Sequence, residues 1–169
     1  MQNPQRRIFR IGLALLCVST LAAAIPAAAT PVAAPADAAK AAADDIIYTA
    51  VLSDADQSTP TYSPGKGFAE LRLERATLKL SWRITYQGLT SAPISAGLYG
   101  PENVGANAGQ VVDLGTRGLK SPITGSAIIS DGVLGYLTTG RVYVNIHTTR
   151  YKNGELRGQL RRQAGTPAP

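Results

Sequence analysis

The sequence is poor in the side chains from which most catalytic and metal centres are built. Its 169 residues include one cysteine, one histidine and one tryptophan. A single imidazole excludes a multi-histidine zinc or copper centre, because these metals need several nitrogen or sulfur ligands to displace water. Cys17 lies in the N-terminal segment, so removal of that segment would leave neither a catalytic thiol nor a disulfide. We therefore expect no catalytic residue, no metal and no cofactor.

Positive charge is concentrated at the N-terminus. The formal net charge is +6, and Arg6, Arg7 and Arg10 supply half of it. The remainder is ordinary for a domain of this size, and the aromatic residues are scattered instead of being interleaved with cations. The composition therefore predicts no nucleic-acid partner.

The first residues have the organisation of a secretory signal peptide, which we place at residues 1–29. An arginine-containing segment without acidic residues precedes an apolar run at 11–24, which is too short and too alanine-rich for a membrane span. Cleavage is expected after Ala29, just beyond the helix-breaking Pro26, with Ala24 as the alternative. This predicts a secreted or periplasmic protein with no membrane span after signal removal.

The export route stays open between Sec and twin-arginine translocation, because the paired Arg6 and Arg7 also resemble a twin-arginine signal. Residues 30–45 are alanine- and proline-rich with almost no large apolar side chain, which predicts a flexible leader. The globular domain is expected at 46–163, followed by a disordered tail at 164–169.

The domain carries short alternating runs of apolar and polar residues between clusters of Gly, Pro, Asn and Asp. These runs predict strands near residues 46–53, 67–75, 78–85, 111–112, 126–130, 142–147 and 155–160. The pattern indicates an all-β fold, an antiparallel β-sandwich or Greek-key barrel of seven to nine short strands. At most one helical turn is expected, at 131–140, with Asp131 as N-cap and Gly140 after its C-terminus.

Alternation also predicts which side chains are buried. Trp82 is expected in the core, and the strand at 46–53 is apolar on both faces, as in a strand packed inside a sandwich. Glu70, Arg72 and Glu74 share one strand face with alternating charge. This favours a solvated ladder over a paired-carboxylate glycosidase site.

The most informative stretch is a hairpin near the C-terminus, around an Asn-Gly step at residues 153–154. Its apolar positions are Val142, Val144, Ile146, Leu156 and Leu160, and its alternate polar positions are Tyr143, Asn145, His147, Glu155, Arg157 and Gln159. Matching the apolar faces sets Ile146 opposite Leu156 and Val142 opposite Leu160. The same register sets His147 opposite Glu155, and a polar cluster is therefore predicted on the other face.

The segments YVNIHT and GELRGQL of this hairpin resemble the C-terminal signature of the chordin-type (CHRD) domain family. In that signature a strand ending in His-Thr precedes a Gly-Glu-(Ile/Leu)-Arg-Gly-Gln strand. Weaker similarity extends back to about Ile46, and the chain resembles secreted bacterial members of the family. The resemblance implies an extracellular or periplasmic module. Where the family pattern has His-x-His-Gly, this chain has Gly97-Leu98-Tyr99-Gly100, so His147 is its only imidazole.

His147 admits two interpretations. Paired with Glu155 near Arg157, it would be a general base or an acid sensor. Alternatively, the polar cluster fixes the hairpin register, with the carboxylate and the guanidinium satisfying one another. We favour the structural interpretation because no partnered nucleophile is visible.

Three functions follow as hypotheses. The first is a non-enzymatic binding or scaffold module that presents the loops at 54–66, 101–110 and 148–154 to an unknown extracellular or periplasmic protein or glycan. The second is an enzyme or metalloprotein of the superoxide dismutase type of sandwich, which is a fold-level analogy. The third is a structural envelope component without a discrete ligand.

Overall fold

The computed structural model describes residues 44–116 and 119–166. The predicted signal peptide, all but the end of the predicted leader, and residues 167–169 of the predicted tail lie outside them. The strands are β1 (Ile46–Leu52), β2 (Lys66–Glu74), β3 (Lys79–Gln87), β4 (Pro93–Tyr99), β5 (Gln110–Gly115), β6 (Ile123–Ile128), β7 (Tyr143–Thr148), β8 (Leu156–Gln159) and β9 (Arg161–Arg162), with one helix, α1 (Asp131–Thr138). The all-β prediction is confirmed.

The strands form two antiparallel sheets. One has the order β6-β3-β2-β1-β9 and the other β5-β4-β7-β8. Within the described residues these sheets do not close into a barrel, so the sandwich is the correct alternative. The sheets are joined at one corner, where the backbones of Ser53 and Arg157 exchange two hydrogen bonds of 2.9 Å.

The core lies between the sheets and consists of the aliphatic residues that alternate along each strand. Trp82 is buried, as predicted, and stands opposite Gly125 on β6. A Cβ at Gly125 would lie 2.6 Å from the indole, so only glycine leaves room for this ring. The hairpin contributes Val142, Val144 and Ile146 to the same core, each without exposed surface.

The outer face of the five-stranded sheet faces solvent. Val51 on β1 is 68% exposed, so the expectation that β1 is packed on both faces is wrong, because within the described residues only the inner face of this sheet meets a second layer. The ladder prediction is confirmed: Glu70 lies opposite Arg83, and Arg72 is exposed and forms an ion pair with Asp45. Asp45 is itself buried, although it falls at the end of the predicted leader.

The helix is longer than the single turn that was expected. It is capped by Ser130, whose Oγ accepts from the Val133 N–H at 3.4 Å, and not by Asp131. Val133 and Leu137, four residues apart, bury one face of two turns, which offsets the glycines within the helix. Gly140 has φ +68° and follows the C-cap, as predicted. The strand predicted at 126–130 corresponds to β6, which spans Ile123–Ile128. It ends earlier than predicted because Ser130 already caps the helix.

Candidate functional site

The hairpin of β7 and β8 has the predicted register. Ile146 lies opposite Leu156 and Asn145 opposite Arg157, and the Leu160 N–H donates to the Val142 carbonyl at 2.9 Å. With the aliphatic side chains directed into the core, the alternate positions of both strands lie on the outer face of the four-stranded sheet. The polar cluster therefore lies on this outer face.

His147 is held on this face by both ring nitrogens. Its Nδ1 lies 2.8 Å from the Lys152 carbonyl oxygen and its Nε2 lies 2.9 Å from the Tyr99 hydroxyl. Because a carbonyl only accepts, we assign the proton to Nδ1, and the Tyr99 hydroxyl then donates to Nε2. Both nitrogens of a neutral imidazole are therefore occupied by structural contacts.

Tyr99 stands where the family pattern has the second missing histidine. Its ring stacks on Tyr143, with centroids 5.5 Å apart and planes 18° apart, and it occupies the space beside Gly97. A Cβ at Gly97 would lie 2.9 Å from Tyr99 Cε2. Burial raises the pKa of Tyr99, and Tyr143 and Asp113 raise it further, so its hydroxyl stays protonated. In this protein a tyrosine therefore fills the face that would carry imidazoles in the family pattern.

Arg157 is fully buried, and within the described residues its guanidinium forms no close ion pair with a carboxylate. Its guanidinium carbon lies 3.5 Å from the centre of the Tyr143 ring, and its Nη2 donates to the Asn103 carbonyl at 2.9 Å. Within the described residues its Nε and Nη1 have no hydrogen-bond partner. Burial lowers the pKa of Arg157, while Tyr143, Asp56 and Glu102 act in the opposite direction. The cation is thus stabilised mainly by an aromatic face and a loop carbonyl.

The 101–110 loop is attached to the outer face by three side chains of the hairpin. Gln159 Nε2 donates to the carbonyls of Glu102 and Gly140 at 2.9 Å each, beside the Arg157 contact to Asn103. The hydroxyl of Tyr143 accepts from the Ala108 N–H at 3.0 Å. These contacts fix the path of the loop across the sheet.

Asn145 links the other two loops. It accepts from Gln57 Nε2 at 2.9 Å and donates to the Asn153 carbonyl at 3.2 Å. Gly154 passes so close that a Cβ there would collide with the Asn145 amide. One side chain thus connects the 54–66 loop to the 148–154 loop.

The predicted pairing of Glu155 with His147 and Arg157 is wrong. The Glu155 carboxylate accepts 2.7 Å hydrogen bonds from the Ser63 hydroxyl, the Thr90 N–H and the Thr148 hydroxyl. Residue 155 precedes the strand, where the alternation of faces no longer applies, and its side chain turns toward Thr148. Burial alone would raise the pKa of Glu155, but these hydrogen bonds outweigh burial and lower it. The remaining five residues of the predicted cluster do share the outer face.

Sequence reasoning missed Gln57, Ser63, Thr90 and Tyr99 as partners of this cluster. Their only sequence signal is position: Gln57 and Ser63 lie in a loop that we expected to be functional, and Tyr99 replaces a family histidine. Each contacts the hairpin from at least 48 positions away in the chain, so strand pairing, not local pattern, brings them together.

The three loops meet at one polar cleft of about 440 Å³, which we call the loop cleft. It is lined by Gln57, Ser58, Thr59, Pro60, Thr61, Asn107, Arg150, Tyr151, Lys152, Asn153 and Gly154. Arg150 and Lys152 are exposed, Arg150 lies 5.5 Å from the Tyr151 ring, and the lining includes no carboxylate. The cleft is therefore suited to hydrogen-bonding or acidic ligands.

The described residues contain no group of three or more His, Cys, Asp or Glu side chains placed to hold a metal ion. No helix among them has the length and apolar character needed to cross a membrane.

The fold and the site together define a two-sheet β-sandwich whose last hairpin holds three loops at one end. A family model described as the CHRD domain matches residues 48–160, about two thirds of the chain. The protein therefore belongs to the CHRD domain family, and the resemblance found in the hairpin is confirmed. No curated protein matches the chain significantly, and no solved structure does so either.

Proposed function

We propose that this protein is an exported, non-catalytic binding module that recognises an extracellular or periplasmic protein or glycan through the loop cleft. The observation that carries the proposal is that three loops, far apart in sequence, meet at one cleft and are each fixed by a buried or partly buried hydrogen bond to the same hairpin. Recognition sites are commonly built from loops on a rigid scaffold.

Each loop is held through its own backbone or a buried side chain. The hairpin reaches the 54–66 loop through Gln57, the 101–110 loop through Asn103 and the 148–154 loop through Asn153. Loops fixed before binding lose little conformational entropy when a ligand arrives, and this favours affinity. The side chains of Arg150 and Lys152 do not take part in this anchoring and stay available to a ligand.

The hydrogen bonds of two residues, His147 and Glu155, support the absence of catalysis. Both nitrogens of His147 are occupied, and the Glu155 carboxylate is buried among three donors. A general base must reach the proton it removes, and neither His147 nor Glu155 is among the residues that line the loop cleft. The predicted signal at residues 1–29 and the family membership support export.

The experiment compares two double variants of the purified domain. Arg150→Ser with Lys152→Ser removes both cations of the loop cleft, and Lys79→Ser with Arg83→Ser removes two exposed cations from the outer face of the other sheet. Partners captured from extracellular material are identified and then titrated in purified form by calorimetry.

We expect the parent and the Lys79/Arg83 variant to bind alike and the Arg150/Lys152 variant to bind at least tenfold more weakly. A partner bound equally by all three proteins would refute the cleft as the site. Stoichiometric copper or zinc in the purified protein, with turnover of a substrate, would instead support the metalloenzyme hypothesis.

A further inference from the structure

Tyr62 is an unusual residue at the edge of the loop cleft. It is 87% exposed and has φ +52°, a left-handed backbone conformation that bulky side chains rarely adopt. Leu78 also has positive φ, but it sits in the tight turn between β2 and β3 and packs on the core. No comparable packing accounts for Tyr62, whose ring is directed away from the protein.

The backbone on both sides of Tyr62 is fixed. Thr61 and Ser63 are buried, and their hydroxyls donate to the backbone carbonyl and the carboxylate of Glu155, at 3.2 and 2.7 Å. The Tyr151 hydroxyl donates to the Thr61 carbonyl at 2.7 Å. The signature glutamate therefore holds the segment that displays an aromatic ring to solvent. Strained, exposed residues fixed by their surroundings are typical of binding sites.

Tyr62 directly follows two residues that line the loop cleft, Pro60 and Thr61. The cleft itself offers hydroxyl and amide groups and two cations. The carboxylates of the same loop are engaged elsewhere: Asp54 lies 4.0 Å from Lys66, and Asp56 interacts electrostatically with buried Arg157. An exposed aromatic ring therefore lies next to a cleft of positive charge.

We propose, building on the proposed function, that Tyr62 and the loop cleft bind an acidic polysaccharide. The C–H face of a sugar ring stacks on the tyrosine, sugar hydroxyls bond to the hydroxyl and amide groups of the lining, and Arg150 and Lys152 bind carboxylates along the chain. A protein partner fits less well, because the lining consists mainly of hydroxyl and amide side chains without a large aliphatic residue, whereas the buried core of a protein interface is more apolar.

The test titrates the purified protein with polygalacturonate, with neutral dextran and with polyglutamate, which is anionic but has no sugar ring. Tyr62→Asn removes the ring and keeps a residue that tolerates positive φ, while Tyr62→Trp keeps an aromatic face. Phe68→Ala, at an aromatic that is 44% exposed on the outer face of the other sheet, is the matched control. Fluorescence of Trp82 checks that the other variants fold, and circular dichroism checks Tyr62→Trp, which contains a second tryptophan.

We expect polygalacturonate to bind and dextran to fail. Tyr62→Asn should weaken binding about tenfold, equivalent to about 1.4 kcal/mol, and Arg150→Ser with Lys152→Ser by more. Tyr62→Trp and Phe68→Ala should bind like the parent, and raised salt should weaken binding because the cations are exposed.

Equal binding of polyglutamate, with no effect of Tyr62→Asn, would reduce the interaction to unspecific charge attraction and overturn the proposal. If dextran binds as tightly as polygalacturonate, the claim that the polysaccharide must be acidic is overturned. If no polysaccharide binds but a purified protein does, and the Arg150/Lys152 variant loses that protein, the ligand class is wrong and the proposed function stands. If neither Tyr62→Asn nor Arg150→Ser with Lys152→Ser alters any interaction, the polysaccharide proposal and the proposed function are both refuted.

Discussion

Glu155 provides the sharpest test of how the hairpin supports the loops. Its carboxylate has no exposed surface and accepts three hydrogen bonds of 2.7 Å, from Ser63, Thr90 and Thr148. Hydrogen bonds to a charged group contribute about 1.5–3 kcal/mol each, and neutral ones about 1 kcal/mol. We predict that Glu155→Gln lowers the free energy of unfolding by about 2 kcal/mol at neutral pH.

This magnitude follows from what an amide can still do. Its oxygen can accept from Ser63 and Thr90, which both contact the same carboxylate oxygen, but without the charge. Its nitrogen replaces the oxygen that now accepts from Thr148, so that hydroxyl must turn and loses its acceptor. Glu155→Ala removes both acceptor oxygens and leaves the donors of Ser63, Thr90 and Thr148 without their acceptor, and it should cost about 4 kcal/mol.

The effect of Glu155→Gln should depend on pH. The pKa of Glu155 is lowered in the folded protein, so the folded state holds the unprotonated form more strongly than the unfolded chain does. The carboxylate therefore contributes fully above its ordinary pKa of 4.5, and the contribution is lost as the pH falls through the folded pKa. The difference between the parent and Glu155→Gln should shrink as the pH falls below 4.5.

Urea unfolding followed by Trp82 fluorescence measures these differences, since this buried tryptophan is the only one in the chain. Glu70→Gln, at an exposed position, is the control and should change the free energy by less than about 0.5 kcal/mol. A Glu155→Gln protein as stable as the parent at pH 7, or a difference that stays constant down to pH 3, would refute the reasoning.

Three further substitutions test other contacts by the same unfolding measurement. Arg157→Met should keep the free energy of unfolding within about 1 kcal/mol, because it removes a buried cation that forms no close ion pair among the described residues. It should also speed amide exchange at residues 103–108, and a loss above about 3 kcal/mol would contradict this. His147→Ala should lower the free energy of unfolding by about 2 kcal/mol, because two hydrogen bonds are lost. His147→Gln can form both hydrogen bonds and should lower it by less than about 1 kcal/mol. Equal losses in the two variants would show that these bonds are unimportant. Gly158→Ala should cost more than about 3 kcal/mol, because its methyl would collide with the Val51 carbonyl, whereas Gly109→Ala, with open space, should be nearly neutral.

Most of the strands and the hairpin register could be predicted because both depend on local pattern, whereas β4 and β9 were not among the predicted strands. Alternation identifies the inner face, and aliphatic residues on two adjacent strands match in only one register, which sets Ile146 opposite Leu156. The helix was underestimated because Gly132 and Gly135 lower its intrinsic propensity, while its stability comes from packing of Val133 and Leu137.

The partners within the site could not be predicted, because they depend on which strands pair. Tyr99 meets His147 only because β4 pairs with β7, which is not its neighbour in sequence. Glu155 was misplaced for a different reason: it lies one residue before β8, so the strand period says nothing about its direction. The three loops were identified individually, but their meeting at one cleft is a consequence of sheet order.

The residue types in the signature follow from the backbone groups that they satisfy. Asn145, His147, Arg157 and Gln159 all carry N–H donors, and they donate to five carbonyls outside the strands, those of Glu102, Asn103, Gly140, Lys152 and Asn153. Loop carbonyls have no strand partner, and these side-chain donors take the place of one. Glu155, the one carboxylate of the signature, acts instead as an acceptor. It accepts hydrogen bonds from one N–H and two hydroxyls. Because the loops are held mainly through backbone carbonyls, their exposed side chains can change without loss of these contacts, which agrees with the proposed role of the loops in binding.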